Sequence, residues 1–242
     1  MFGSIYSQCF QLENNLNTIR TSYDIGDTIS IEHQLKEFDV CYGDYGDGTL
    51  RLSDFNYNLN GGFHKVIMIR INATWWAPCY STIEVFDEII EEWQDDNRVV
   101  LINNIDDIWQ PYTCQMWGDS HESENPIIIN GQSCANCENN YPMMYWFGDN
   151  YTDLVFIDHN MIFNYFNSYT VFYQANVVIQ NMLDAIPDSG DINGDGVIDI
   201  LDIVLMVNMI LDGDYDSLAD FNDDGIVDIL DIVQIVNYIL DN

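Results

Sequence analysis

The pattern of hydrophobic residues between Lys65 and Ile102 predicts a strand, a helix and a second strand in succession. Residues 65–71 form a near-continuous apolar run, as expected of a strand covered on both faces. From Cys79 to about Asp95, apolar side chains recur every three or four residues, which predicts a helix with one buried face. Residues 98–102 form a second apolar, β-branched run. This succession indicates a βαβ unit and therefore an α/β fold whose central sheet is flanked by helices.

Weaker patterns on either side of this unit extend the predicted sheet. An acidic, glycine-rich turn at 43–48 separates two short strands, whereas residues 105–150 show no regular pattern. A loop as long as 105–150 is usually functional or held by its own links. The predicted elements after this loop are a strand at Leu154–Asp158, a turn at His159–Asn160, a returning strand at Met161–Phe166 and a helix at Val171–Ile186.

Composition limits what the protein can bind and where it resides. The chain has 242 residues, 48% of them hydrophobic, which is enough to form a core. Six Lys and Arg residues stand against 40 Asp and Glu residues, and the formal net charge of −34 repels nucleic acid and anionic membranes. No stretch approaches the roughly 20 apolar residues of a membrane span. Six cysteines suit a secreted or extracytoplasmic protein, although residues 1–20 lack the apolar core of a signal peptide.

An internal repeat near the C-terminus carries the strongest chemical signal. Residues 191–202 recur as residues 220–231, and both copies match the calcium-loop pattern at positions 1, 3, 5, 6, 9 and 12. Hard oxygen ligands in this number favour Ca²⁺ over Zn²⁺ and Mg²⁺, so the sequence predicts two calcium sites. The predicted ligands are Asp191, Asn193, Asp195, Val197, Asp199 and Asp202 in the first loop and Asp220, Asn222, Asp224, Ile226, Asp228 and Asp231 in the second, with Val197 and Ile226 contributing backbone carbonyls.

Each calcium loop is followed by a predicted helix, at 200–212 and 229–241, that is apolar nearly all round. A helix of this kind cannot lie on a surface. Part of each helix is expected to pack on the other, and the rest must contact a protein partner or the first domain of the same chain. Because each loop without metal holds four carboxylates close together, folding of this region is expected to depend on calcium.

Two half-EF-hands, each a loop and one helix with Asp at position 12, resemble a type I dockerin module. The resemblance covers the last quarter of the chain and implies, as protein partner, a cohesin domain that contacts helices 200–212 and 229–241. Positions 10 and 11 of both loops are Ile-Leu, where many cellulosomal dockerins have small polar residues. Dockerins often accompany polysaccharide-degrading enzymes, which implies an assembly of that kind. The first domain itself has no glycosidase pattern.

The segment Asn72–Cys79, Asn-Ala-Thr-Trp-Trp-Ala-Pro-Cys, resembles the Ala-Thr-Trp-Cys-X-Pro-Cys signature of thioredoxin-like proteins. A Gly-Asp before the first strand and a Leu-Ser-Asp-Phe before the central strand resemble the redoxin branch of that superfamily. The resemblance implies a thioredoxin-like fold and a protein thiol or disulfide as substrate. Trp76 stands where the attacking cysteine would be, Cys79 occupies the resolving position, and Thr152 stands where the family has a cis-proline.

Three interpretations of this site stay open. In the first, a degenerate redox site around Cys79, Trp76, Pro78 and Thr152 serves binding or structure. In the second, an active thiol–disulfide oxidoreductase uses Cys79 with a cysteine from the loop 105–150, or Cys134 with Cys137. In the third, Trp76 is a recoded selenocysteine at the attacking position. Six cysteines allow 15 disulfide connectivities, and the sequence does not choose among them.

The predicted organisation therefore joins a thioredoxin-like α/β domain to a small all-α calcium module. The four histidines are far apart in sequence without ligand spacing, so surface or turn positions are expected for His33, His64, His121 and His159. The predicted boundaries are an N-terminal extension at 1–24, the thioredoxin-like domain at 25–187 with its cysteine-containing insertion at about 105–150, and the dockerin-like module at 188–242.

Overall fold

The computed structural model describes residues 23–60, 63–106, 111–123, 126–131, 143–147, 154–167, 172–187, 189–222 and 225–241. The predictions made for residues 1–22, Cys134, Cys137, Thr152 and Asp224 lie outside the described residues.

Seven strands of the described residues form one sheet. They are β1 Phe38–Tyr42, β2 Thr49–Leu50, β3 Val66–Ala73, β4 Val99–Asp106, β5 Ile128–Asn130, β6 Leu154–Ile157 and β7 Phe163–Asn167. Their order across the sheet is β2-β1-β5-β4-β3-β6-β7. Every residue of β3 is buried, as its continuous apolar run predicted.

Helices connect these strands and follow the last of them. The described α-helices are α1 Ile31–Gln34, α2 Ala77–Ser81, α3 Ile83–Trp93, α4 Cys114–Gly118, α5 Phe172–Asp184, α6 Ile200–Asp212 and α7 Ile229–Asp241. Two short 3-10 helices lie at Leu52–Phe55 and Met143–Trp146. We refer to residues 23–187 as the sheet region.

The strand directions agree with the predicted βαβ unit. β3 and β4 are parallel from the pair Val66 and Val99 to the pair Ala73 and Asp106, with α2 and α3 between them in the chain. β6 is antiparallel to β3 and forms a hairpin with β7. α5 then packs beside α3 and β6. The predicted thioredoxin-like α/β fold is confirmed.

Alternating side chains of β3 form a core on each face of the sheet. Val66 and Met68 pack with residues of α3 and α5, including Phe86 and Ile179. On the other face, Ile67, Ile69 and Ile71 join a cluster with Phe38, Leu52, Trp146 and Phe147. Because both faces are covered, polar side chains at the ends of β3 and β4 become buried as well.

The differences from the sequence prediction include a divided helix and a missed strand. The helix predicted from Cys79 to about Asp95 is two helices, α2 and α3, separated at Thr82, whose φ of −110° and ψ of 11° are not helical. The Thr82 hydroxyl hydrogen-bonds to the backbone carbonyls of Pro78 and Cys79, which competes with a continuous helix. Strand β5 was missed, and it lies between β1 and β4 inside the region predicted to be a loop.

The repeat near the C-terminus forms the two predicted helices. α6 and α7 have the predicted bounds and pack on each other around Met206, Ala219 and Ile235. α6 ends at Gly213, whose φ of 75° is a left-handed value that glycine adopts readily. Among the described residues, no helix combines the length and the apolar content that crossing a bilayer requires.

Candidate functional site

The turn after β3 places a buried thiol behind two exposed indoles. Trp76 is the N-cap of α2, and Pro78 lies in the first turn, where a missing N–H leaves no helical hydrogen bond unmade. The Cys79 side chain is fully buried, whereas Trp75 and Trp76 are 45% and 43% exposed. Position 76 therefore presents an indole to solvent where a thioredoxin-type site would present its attacking thiol.

A fully buried arginine lies beside this thiol. Arg70 Nη2 donates to the Cys79 carbonyl (2.5 Å) and to Thr82 Oγ1 (2.6 Å), and the guanidinium carbon lies 5.3 Å from the centroid of the Phe86 ring. Burial lowers the pKa of Arg70 to about 10, while the charges of Cys79 and Asp87 act in the opposite direction. Nε and Nη1 of Arg70 are buried without a hydrogen-bond partner.

Next to Arg70, a chain of polar side chains crosses the end of the sheet. Asp87 Oδ1 contacts His121 Nδ1 (2.6 Å), and His121 Nε2 contacts Asn103 Nδ2 (3.1 Å). Asn103 Oδ1 accepts a hydrogen bond from Asn72 Nδ2, which also donates to the Arg70 carbonyl (3.2 Å). In this arrangement the imidazole donates through Nδ1 and accepts through Nε2. The prediction of a surface or turn position is wrong for His121, because its buried ring has a partner at each nitrogen.

Asp87 is the charged end of this chain. Burial would raise its pKa, but hydrogen bonds from His121, from the Ser123 hydroxyl (2.6 Å) and from the Glu122 amide (2.8 Å) together lower it. The carboxylate therefore stays ionised and offsets the charge of Arg70 inside the protein.

A disulfide between Cys41 and Cys114 joins β1 to α4, with the two Cα atoms 6.0 Å apart. It assigns one of the pairings that the sequence left open. Cys79 is a buried thiol, and it belongs to the same apolar cluster as Cys114, with Ile83 and Trp117. The structure thus brings Cys79 together with one of the loop cysteines named as its candidate partners.

In the first predicted calcium loop, backbone amides bind the side chains proposed as ligands. Asp202 accepts hydrogen bonds from the Asn193 amide at Oδ1 (3.1 Å) and from the Asp199 amide at Oδ2 (2.8 Å). Asp191 Oδ2 accepts one from the Gly196 amide (2.9 Å). Gly196 has a φ of +85°, which an L side chain would strain.

The second loop repeats this geometry. Asp231 accepts hydrogen bonds from the Asn222 amide at Oδ1 (3.1 Å) and from the Asp228 amide at Oδ2 (2.8 Å). Asp220 Oδ2 accepts one from the Gly225 amide (2.8 Å), and the φ of Gly225 is +84°. The two copies therefore share a structure as well as a sequence pattern.

The buried carboxylates of both loops fit a hard cation. Asp191, Asp202, Asp220 and Asp231 are at most 5% exposed, and the Arg–carboxylate pairs found among the described residues lie elsewhere. Buried carboxylates need a compensating positive charge, which Ca²⁺ would supply. In the described part of the chain, no three acidic, His or Cys side chains converge as a ready metal cluster, but a calcium loop also uses Asn and backbone oxygens. The ligand assignment stays a prediction.

The two helices after the loops leave an apolar face uncovered. Equivalent positions of the repeat are exposed in both helices, for example Leu201 (56%) and Leu230 (55%), or Leu211 (78%) and Leu240 (77%). The sheet region therefore does not cover this face, contrary to one of the two predicted arrangements. We call it the exposed helix face; it comprises Ile200, Leu201, Val204, Leu205 and Leu211 of α6 and Ile229, Leu230, Val233 and Leu240 of α7.

Residues 189–240 match the family model of the dockerin type I domain. This match confirms the resemblance found in the sequence, and we call these residues the dockerin segment. The dockerin segment contains both calcium loops and the exposed helix face. No curated protein matches the chain.

Several solved structures resemble the chain at low sequence identity. The exposed lipoprotein thioredoxin of Streptococcus pneumoniae is 19% identical, with a TM-score of 0.40 over 62% of this chain and 98% of its own. A secreted disulfide oxidoreductase of Mycobacterium tuberculosis is 8% identical, with a TM-score of 0.45 over 63% and 99%. A thiol:disulfide interchange protein of Chlorobium tepidum is 13% identical, with a TM-score of 0.41 over 61% and 98%.

Sequence reasoning missed the polar chain beside the thiol, although part of it left a signal. Asn72 and Asn103 each follow an apolar run predicted to be a strand of the same parallel pair. Because the carboxyl ends of parallel strands meet at one edge of a sheet, the proximity of these two amides was predictable. Nothing in the local sequence pointed to the pairing of His121 with Asp87.

Proposed function

We propose that this is a secreted two-domain protein that joins an extracellular assembly through its dockerin segment and presents a thioredoxin-like domain there. The proposed boundaries are those expected from the sequence, 25–187 for the thioredoxin-like domain and 188–242 for the calcium module. The proposed partner of the dockerin segment is a cohesin-like domain on a scaffold, in a polysaccharide-degrading assembly.

The observation that carries this proposal is the exposed helix face. Monomeric soluble proteins rarely expose large contiguous apolar patches, and such patches commonly mark protein–protein interfaces. Here the apolar positions are exposed in both copies of the repeat, and they begin at the last positions of the predicted calcium loops. The match to the dockerin type I domain supports a cohesin-like occupant over other partners.

In this proposal each predicted loop holds one calcium ion. When bound, Ca²⁺ supplies the positive charge that the buried carboxylates lack. Asp202 and Asp231 also hold the start of each helix, because each accepts a hydrogen bond from the amide of the N-cap residue, Asp199 or Asp228. Fixing these carboxylates would fix α6 and α7 and thereby the shape of the exposed helix face.

The thioredoxin-like domain is proposed to serve binding or structure, with a degenerate redox site. The supporting observations are the exposed Trp76 indole at the attacking position and the fully buried Cys79 thiol. Because Trp76 replaces the first cysteine of the motif, the usual two-cysteine cycle cannot run within this turn. The codon for position 76 tests whether selenocysteine stands there instead.

A calorimetric titration of the full chain with recombinant type I cohesin domains tests the attachment. We expect binding with calcium and none after chelation with EDTA. The double variant L201D/L230D should abolish it, because a charge in the centre of each apolar stripe would be desolvated on docking. The matched control is Tyr173→Asp, an exposed position on α5. Binding that survives EDTA or the double variant contradicts the proposal.

The alternative function, thiol–disulfide exchange, is favoured by the cluster that contains Cys79 and Cys114. The Cys79 thiolate would attack Cys114 Sγ, a Cys79–Cys114 bond would form, and the Cys41–Cys114 bond would break. Cys41 would leave as a thiolate and take up a proton. The bridge moves in this step without net oxidation, and the released Cys41 is then able to attack a substrate disulfide.

Reduction of insulin by the full chain with dithiothreitol as reductant separates the two functions. If the redox site is degenerate, insulin should be reduced no faster with the protein than with dithiothreitol alone. An active exchange pair predicts a higher rate that is lost in Cys79→Ser and in Cys114→Ser.

A further inference from the structure

The turn between the two helices of the dockerin segment contacts the sheet region. The Tyr215 ring lies 5.4 Å from the Phe63 ring, centroid to centroid. Burial, and then a hydrogen bond to the Asp216 carboxylate, raises the pKa of Tyr57. The Asp216 charge also acts on His64, whose ring stacks on Tyr57 at 4.2 Å. We call this set of five residues the linker contact.

The same tyrosine reaches the second calcium loop. Tyr215 Oη donates to Asp220 Oδ2 (3.1 Å), which also accepts a hydrogen bond from the Gly225 amide (2.8 Å). Because both donors use Oδ2, coordination of calcium by Oδ1 would leave both hydrogen bonds intact. A cation that fixes the Asp220 carboxylate would therefore also fix the Tyr215 side chain.

Backbone hydrogen bonds make the intervening turn compact. The Asp216 carbonyl accepts from the amides of Ala219 (3.0 Å) and Asp220 (3.2 Å), and Asp216 Oδ1 accepts from the Leu218 amide (2.8 Å). Asp216 is thus connected to Asp220, the first ligand position of the second loop, in two ways: through the side chain of its neighbour Tyr215 and through the backbone.

Among the described residues, the first loop has no equivalent connection to the sheet region. Tyr215 lies five residues before Asp220, and the position five residues before Asp191 is Ile186. An isoleucine has no hydroxyl to donate to Asp191, and Ile186 packs against the apolar cluster between α3 and α5 instead. The two loops are therefore alike in ligand geometry and different in their connection to the sheet region.

We propose that Tyr215 couples calcium binding at the second loop to docking of the dockerin segment on Tyr57, Phe63 and His64. The inference rests on the calcium sites of the proposed function and adds a regulated interface between the two parts of the chain. By linkage, docking strengthens calcium binding at the second loop by the same factor by which calcium strengthens docking, so loss of the linker contact weakens calcium binding there by up to that factor. Calcium then fixes the direction in which the exposed helix face points from the sheet region.

The test is a calcium titration of the full, ¹⁵N-labelled chain, read at two glycine amides. Gly196 and Gly225 occupy the same position of the two loops, so their amide resonances report each loop separately. In buffers of set free calcium, Phe63→Ala should raise the dissociation constant at Gly225 by about 2- to 10-fold, the loss of one aromatic pair. The dissociation constant at Gly196 should stay unchanged.

A second variant separates the hydroxyl from the ring. Tyr215→Phe keeps the contact with Phe63 and removes the hydrogen bond to Asp220, so we expect a loss of about tenfold at Gly225 alone. Tyr173→Phe, an exposed tyrosine on α5, is the matched control. Equal changes at both glycines, or no change at Gly225, would overturn the coupling. If neither amide responds to calcium in the wild type, the calcium sites of the proposed function fail, and the coupling fails with them.

Discussion

The thiol site and the exposed helix face are opposites in burial and in charge. Cys79 is enclosed, with a buried cation beside it, and it follows two exposed indoles in the same turn. Several polar side chains around it bond one another, while Nε and Nη1 of Arg70 have no hydrogen-bond partner among the described residues. The exposed helix face is open and apolar, and the loops beside it bury four carboxylates. Because the thiol is buried, the first site must open before any substrate reaches it. In the proposed function, the second site works only with calcium in the loops and a protein partner on the helix face.

Removal of calcium should have the largest effect on stability, and it should destabilise the dockerin segment alone. We expect EDTA to unfold α6 and α7, because their shared core among the described residues is small, with Met206, Ala219 and Ile235 fully buried, while each loop has four carboxylates at its predicted ligand positions. Circular dichroism should lose the signal of two 13-residue helices. Hydrogen exchange of β3 should stay slow. Unchanged helix content in EDTA would contradict calcium-dependent folding.

Substitution of the buried arginine should have the next largest effect, now on the sheet region. Arg70→Ala leaves Asp87 without its buried counter-charge and the Cys79 carbonyl without its donor, so we expect the free energy of unfolding to fall by about 3–5 kcal/mol. Arg98→Ala removes a half-exposed pair with Asp96 and should cost about 1 kcal/mol or less. Urea denaturation of both variants measures the difference. Equal losses of unfolding free energy in the two variants would show that the buried contacts of Arg70 stabilise the fold no more than the surface pair of Arg98 does.

A decrease in pH should lower the free energy of unfolding through His64, which lies in the linker contact. Burial and the nearby His159 lower its pKa to about 4, against the opposing charge of Asp216 and an unperturbed value of 6.5. Between pH 6.5 and 4 the unfolded state therefore binds more protons, so this contribution to stability falls as the pH decreases. Because the ring is only half buried, we expect about 1 kcal/mol. Comparison of the pH dependence of unfolding in the wild type and in His64→Gln measures it, and identical curves would contradict it.

A substitution on the exposed helix face should have the smallest effect on stability. Leu230→Asn lies at a position that is 55% exposed, so we expect the free energy of unfolding in calcium to change by less than about 0.5 kcal/mol. The buried Met206→Ala is the matched contrast and should cost about 2–5 kcal/mol. A large loss in Leu230→Asn would indicate that this face is already covered within the chain.

Local patterns predicted the elements that depend on local periodicity. The bounds of α6 and α7 were predicted exactly, because a calcium loop fixes where each helix begins. Strand β5 has only three residues, and it is a strand because β1 and β4 pair with it from distant parts of the chain. The Asp87–His121 contact joins residues 34 apart in sequence. Such pairs follow from the packing of the sheet, which a single sequence does not display.

The Cys41–Cys114 disulfide also determines what happens when a protease cuts the chain. It closes a ring spanning 73 residues, which contains β2, β3, α2, α3 and β4, and hence the whole thiol turn. A protease that cuts within this ring, for example beside the exposed Leu59, leaves the two fragments covalently joined. Such a nicked protein would migrate as one species on a non-reducing gel and as two after reduction. A single cleavage there would not separate the residues before the cut from the dockerin segment.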